Sequence, residues 1–281
     1  MKRIDTELIN KILADTKSGK LHLPSPPEFA QELHDAIEDD RRDNSYIARI
    51  IQYDPALTTR IIEVANSPLY RGSEKSTNCK EAVFRIGRQN TRQLVFVFTL
   101  SNSFTPNSEI VRKHMNRVWE TSREIAVLSY IIAGKATRMD PNRALMAGLI
   151  HNIGELPVLQ YINEYREIFN DAKRLVNMTN TLKGVLGNFV LRAWKFDDEL
   201  TKLPKEIDDW MRDPAPKPDY ADLVNVARSY HSLGKPVFND RPKLYELPAF
   251  KKLPLSDLSP KECIQTLKDA EMEMDVVKAL L

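Results

Sequence analysis

The chain has 281 residues, 42% of them hydrophobic and 28% charged. This ordinary globular composition allows a core and excludes wholesale disorder. Lys and Arg number 41 against 39 Asp and Glu, for a net charge of only +2, which argues against a broad basic surface for nucleic acid or membrane while leaving room for a local patch. At roughly 100–200 residues per domain, the length fits one large domain or two small ones. Cys79 and Cys263 are the two cysteines. They form no Cys-x-x-Cys pair, so neither a zinc ribbon nor a redox motif is present. The start, Met1-Lys2-Arg3-Ile4-Asp5, is charged and lacks an apolar signal core. The longest apolar stretches, such as Leu94–Leu100, fall far short of the ~20 residues that span a bilayer. These features predict a cytoplasmic protein.

Helix signals recur along the chain. Ser25 precedes Pro26 and Glu28, a capping-box pattern, and Phe29, Leu33 and Ile37 then repeat every four residues. Ile47, Ile50 and Ile51 mark a second helix. Asp54-Pro55 reads as a cap with a first-turn proline, Leu57, Ile61, Val64 and Ala65 as one face, and Asn66-Ser67-Pro68 as the stop. Asn78 and Glu81 predict another capping box, with Gly87 as C-terminal stop. Leu94–Phe98 reads as strand or buried helix, and the lack of a partner strand favours the helix. A long helix is predicted from about Ser108 to near Gly134, and Asp140-Pro141 starts the next. Two more are predicted over Glu164–Val176 and Leu182–Ala193. Pro214, Pro216 and Pro218 suggest a boundary, and Leu223, Val224, Ala227 and Tyr230 a further helix. The segment 236–260 is proline-rich and mixed, and 260–281 reads as a final helix. No internal repeat is evident.

Chemistry concentrates in Ala147-Gly148-Leu149-Ile150-His151-Asn152-Ile153-Gly154. A His-Asp pair here would suit a divalent metal. Asn152 instead offers a neutral carbonyl oxygen that neither offsets a metal's charge nor acts as a base. A buried His–Asn pair hydrogen-bonded to backbone is the plainer account. His22, His34, His114 and His231 show no metal-ligand spacing, and read as surface or partly buried helix residues. Arg85, Arg88 and Arg92 cluster around Gly87, a pattern that can hold an anion but more often forms a solvated face. There is no phosphate-binding glycine loop and no Gly-x-Ser-x-Gly element.

Taken in order, several of these pieces resemble the HDOD family, relatives of HD-type phosphohydrolases found in bacterial signalling proteins. They are Leu23-Pro24-Ser25-Pro26-Pro27, Asp54-Pro55-Ala56-Leu57-Thr58, Ala65-Asn66-Ser67-Pro68-Leu69-Tyr70 and Glu81-Ala82-Val83-Phe84-Arg85-Ile86-Gly87. Then come Trp119, Ser122 and Ala126, the His151 segment, and Gly187 with Trp194. The resemblance implies an all-α fold, with a helical N-terminal lobe at 21–106 packed on an HD-like core at 107–213. Residues 1–20 would precede it as a helical segment, and 214–281 would complete the core as a helical extension. It also implies a stripped metal site. Thr121 stands where active relatives carry a His, Asn152 where they carry an Asp, Lys183 at a later His position, and Trp210-Met211 at a His-His pair. Only His151 plainly survives, so no metal or other cofactor is expected.

The implied function is a non-catalytic regulatory module that binds a protein partner or a small ligand through the old cleft, lined by Trp119, Ser122, His151, Asn152 and Trp210. The alternative is a metal-dependent phosphohydrolase with an atypical site, using His151 and acids such as Glu155 or Asp197. A third idea is cyclic-dinucleotide sensing by Arg85, Arg88 and Arg92. Partner identity and oligomeric state are not encoded legibly.

Overall fold

The computed structural model describes residues 3–18, 28–70, 72–102, 109–162, 172–233 and 242–257, plus the single helical positions 262, 265 and 268. Every regular element among the described residues is helical, and none is a strand. In chain order the α-helices are α1 (Arg3–Lys17), α2 (Glu28–Glu38), α3 (Asn44–Ile51), α4 (Pro55–Ala65), α5 (Cys79–Ile86), α6 (Arg88–Asn102) and α7 (Glu109–Ala136). They continue with α8 (Pro141–Ile150), α9 (Glu155–Ile162), α10 (Ala172–Ala193), α11 (Asp198–Glu206), α12 (Tyr220–His231) and α13 (Pro248–Lys251). The chain divides into two compact units. One comprises Met1–Ser25 with Phe104–Cys263, the other Pro26–Ser103 with Ile264–Leu281.

The smaller unit carries α2 to α6. Its helices start where side chains satisfy free backbone N–H groups. Asp43 Oδ1 accepts from Tyr46 N at 2.9 Å, and Asp54 Oδ1 accepts from Ala56 N at 2.9 Å and Leu57 N at 3.1 Å. Asn78 Oδ1 accepts from Glu81 N at 3.0 Å. Glu81 reaches back one residue further than in a standard capping box, to Thr77 N at 2.7 Å. Gly87 ends α5 at φ 87°, a value that favours glycine. Leu33, Ile37, Ile47, Ile61, Val83 and Leu94 form the centre of this core, and Phe29 is half-buried. The Leu94–Phe98 run is a fully buried part of α6.

In the larger unit, α1 packs on α10, and α7 lies along α8 and α12. α7 runs to Ala136, close to the stop expected near Gly134. α8 opens with Asp140 Oδ1 accepting from Asn142 N at 2.9 Å and Pro141 in the first turn. After Ile150 the chain turns over His151–Gly154 and restarts as α9, with Pro157 third in the helix. A proline there removes no intrahelical bond, so Pro157 marks a restart and not a kink.

Two expectations are revised. The separate helices over 164–176 and 182–193 are not separate: Val176 and Leu182 lie on the one helix α10, and residues 164–171 fall outside the described set. Leu175, Met178, Leu182 and Leu186 keep one buried face through the polar stretch between them. α10 ends on Lys195 at φ 55°, with Phe196 N–H donating to Leu191 O at 2.9 Å, a Schellman closure that buries Trp194. The prolines at 214–218 form a connection inside the larger unit, because α12 beyond them is buried from Tyr220 to Tyr230. The expected final helix at 260–281 lies almost wholly outside the described residues.

An ionic knot fastens the start of α12. Arg212 donates to Asp219 at 2.7 Å, Asp222 Oδ1 at 2.8 Å and Glu206 at 3.1 Å. Lys252 Nζ lies 3.0 Å from both Asp222 and Asp213. Asp222 is fully buried, and burial, followed by the neighbouring Asp219 charge, raises its pKa.

Three glycines in this unit leave no room for a side chain. A Cβ on Gly148 would stand 2.3 Å from Ala126 Cα. One on Gly154 would stand 1.8 Å from Lys183 O, and one on Gly187 would stand 2.7 Å from Pro204 Cβ. Gly148→Ala and Gly154→Ala should each cost about 3 kcal/mol or more, since a helix must move to admit the methyl. Gly134→Ala, whose Cβ would meet Pro141 Cγ at an ordinary 3.7 Å, should instead gain ~0.5–1 kcal/mol from helix propensity. Urea unfolding of the three variants checks both directions.

Candidate functional site

His151 opens the turn after α8, and its side chain is 2% exposed. Its Nδ1 lies 2.6 Å from Gly148 O. A carbonyl only accepts, so Nδ1 carries the proton and Nε2 holds the lone pair. Burial pushes the imidazole pKa well below its ordinary value. The positive charge of Arg228 adds to this, and the Gly148 hydrogen bond opposes it. Lys183 and His231 push the same way. The ring is therefore neutral across the physiological range.

The positive neighbours come from α10 and α12. Arg228, 8% exposed, donates to Asn225 Oδ1 at 2.9 Å and to Ile207 O. Its guanidinium lies 4.4 Å from the centroid of the Trp210 ring, a cation–π contact. Lys183 Nζ is 3.4 Å from Asp208 Oδ1. His231 Nδ1 is 3.1 Å from Glu124 Oε2 on α7. Residues 207–210, just after α11, thus supply a carbonyl, a carboxylate and an indole face to hold two cations near His151.

The expected cleft residues separate into groups. Ser122 is buried and lies one turn from Ala126 on the α7 face that meets Gly148. Trp119 sits on that face one turn further along and is half-buried. Trp210 faces the Arg228 guanidinium. Asn152 and Thr121 are partly exposed. Arg228 was not among the residues predicted from sequence. Its signal was a charge four residues after Val224 and next to Ala227, on the apolar stripe of α12.

A divalent metal does not fit this set. Thr121 and Asn152 carry no charge, Lys183 and Arg228 are cations, and His151 alone offers a free ligand atom. Among the described residues no three His, Cys, Asp or Glu side chains gather as a metal-binding group. Glu155 is paired with His114 at 3.2 Å. Asp197 caps α11 through Glu199 N and Leu200 N, both at 3.2 Å, and binds Arg143 at 2.6 Å.

The three arginines of the smaller unit point their N–H groups at separate targets. Arg85 donates to Ala65 O at 3.2 Å and Glu74 O at 2.6 Å, and Arg88 to Ala36 O at 2.9 Å. Arg92 meets His34 and stacks 5.6 Å from the Phe96 centroid. They fasten helix ends and a loop and do not converge on a common point.

The HDOD domain matches residues 23–209. The chain belongs to the HDOD domain family. A "Putative metal-dependent phosphohydrolase" from Shewanella amazonensis SB2B has a similar crystal structure: TM-score 0.81, 26% identity, and 98% of each chain covered. An HDOD domain protein with unknown function from Geobacter sulfurreducens aligns at TM-score 0.66 and 19% identity, over 98% of this chain and 97% of that one. The fold of this HDOD chain is thus all-α and HD-like. An uncharacterised Treponema pallidum (strain Nichols) protein is 24% identical over 134 residues, 48% of this chain. The chain covers only 26% of that relative's length. No helix among the described residues is long and apolar enough to cross a membrane.

The buried neutral imidazole has a pH consequence. In the unfolded chain His151 regains an ordinary pKa near 6.5 and binds a proton that the folded ring refuses. Its contribution to stability is complete above about pH 6.5 and is lost as pH falls below that value toward the lowered folded pKa. Urea unfolding between pH 8 and pH 5 should show stability falling by up to ~1.4 kcal/mol per pH unit in the acid limb. The His151→Gln variant should lose that part of the slope.

Proposed function

We propose that this HDOD protein is a non-catalytic regulatory module of signal transduction, acting by binding a protein partner or small ligand. The observation that carries the reading is the donor set around the buried His151: Thr121 and Asn152 are uncharged, and Lys183 and Arg228 are cations anchored by residues 207–210. In an HD-type hydrolase this is where a metal would be needed to activate water. On this reading, fixed positive charge takes the metal's part. It is held by Ile207, Asn225 and Trp210 for Arg228 and by Asp208 for Lys183. A second cation beside them would be repelled at short range. The cleft residues Trp119, Ser122, His151, Asn152 and Trp210 remain the proposed binding surface, with aromatic walls and a few polar groups. Residues 21–106 and 107–213 remain the proposed lobe and core of the module.

The alternative, a metal-dependent phosphohydrolase, draws on the name of the Shewanella protein. The acids it would recruit, Glu155 and Asp197, are already paired elsewhere.

Elemental mass spectrometry on protein purified without chelator, then incubated with manganese, magnesium and iron, tests the proposal. Metal at background, with no hydrolysis of bis-p-nitrophenyl phosphate, is the expected result. One metal per chain, with hydrolysis that vanishes in His151→Ala, would overturn it.

A further inference from the structure

A second concavity lies away from His151, in the same unit. It is an open cavity of about 810 Å³ between α10, α11 and the segment after α11. That volume suits a drug-sized ligand. Val185, Asn188, Phe189 and Arg192 line it from α10. At about 100° per residue they stand roughly 140–240° around the helix from Lys183. The cavity and the His151 cleft therefore lie on opposite faces of α10.

Its charges are unevenly satisfied. Two lining acids are paired with cations, Glu206 with Arg212 at 3.1 Å and Asp213 with Lys252 at 3.0 Å, while Asp209 accepts from the neutral Met211 N–H at 2.9 Å and keeps its charge. Arg212 is consumed by Asp219 and Asp222 as well. Arg192, Lys202 and Lys205, all exposed, have no carboxylate partner among the described residues. Lys202 and Lys205 are three apart on α11, so their side chains are neighbours. Phe189, half-buried, supplies an aromatic surface in the same wall. The wall is preformed, because Asn188 Nδ2 on α10 donates to Thr201 O on α11 at 2.7 Å, and Gly187 lets Pro204 close against α10.

We propose that this cavity binds a phosphorylated small molecule with a planar body, of mononucleotide size. Arg192, Lys202 and Lys205 take the phosphates, since a guanidinium and ammonium groups make charge-assisted hydrogen bonds to phosphate oxygens. Phe189 takes the base by stacking. The site is separate from the His151 cleft, so its occupancy and the absence of metal there can each fail alone.

Isothermal titration calorimetry on the full chain at low salt tests it, with ATP, pyrophosphate, adenosine and a polyglutamate peptide as probes. ATP should bind in the micromolar range, pyrophosphate more weakly, and adenosine not at all. Lys202→Glu with Lys205→Glu changes only exposed positions, and should weaken ATP and pyrophosphate by about tenfold or more. Phe189→Ala should weaken ATP several-fold and leave pyrophosphate unchanged. No heat from ATP or pyrophosphate at millimolar concentration would overturn the proposal, as would ATP binding unaltered in the double variant. Binding of polyglutamate in place of ATP would also overturn it, and would assign the cavity to an acidic protein segment.

Discussion

At the corner between α8 and α9 the backbone of one helix rests directly on the backbone of its neighbours. Gly148 lies against the Ala126 backbone of α7 and Gly154 against the Lys183 backbone of α10, while Gly187 of α10 meets the Pro204 ring of α11. Close packing of this kind admits no intermediate spacing, because interiors are nearly as dense as crystals. His151 sits between the first two contacts, so its position is set by steric exclusion on both sides. Its imidazole is then left with one local partner, the Gly148 carbonyl, and a neighbourhood that it does not choose.

That neighbourhood is organised by the short segment following α11. Ile207, Asp208 and Trp210 face Arg228 and Lys183, and two residues later Arg212 enters the knot with Asp219 and Asp222. One stretch of chain therefore holds the cations near His151 and also fastens the start of α12, the helix that carries Arg228. Buried ion pairs contribute little net stability once desolvation is counted, but breaking one is costly. Their effect here is to fix a single arrangement of α10, α11 and α12, which is also the arrangement that shapes the cavity at Phe189.

Much of the fold was legible because its signals are local. Asp54-Pro55, Asn78 with Glu81, and Asp140-Pro141 act over three or four residues, and each caps a helix. The continuity of α10 was not legible. Asn177, Thr179 and Asn180 look like an interruption, yet Thr179 bonds its own helix at Leu175 O, 2.8 Å away, and the buried leucines stay in phase. The resemblance implied uncharged or cationic side chains at Thr121, Asn152 and Lys183, each a reading of one position. The anchored Arg228 was not legible, because it is 77 residues from His151 and no spacing links them. The cavity beside Lys202 and Lys205 was invisible for a related reason: a concavity belongs to the packing of helices and not to any one of them.

The way Arg228 is anchored bears on how this branch of the fold can change. A chain that has merely lost ligands could regain them one at a time. Here Arg228 is a guanidinium with three attachments, to Ile207, Asn225 and Trp210. Restoring a carboxylate at 152 or an imidazole at 121 leaves that cation in place, and removing it first strips a buried carbonyl of its donor. On the proposed reading the arrangement works as a ratchet, since a metal site here would need several simultaneous replacements.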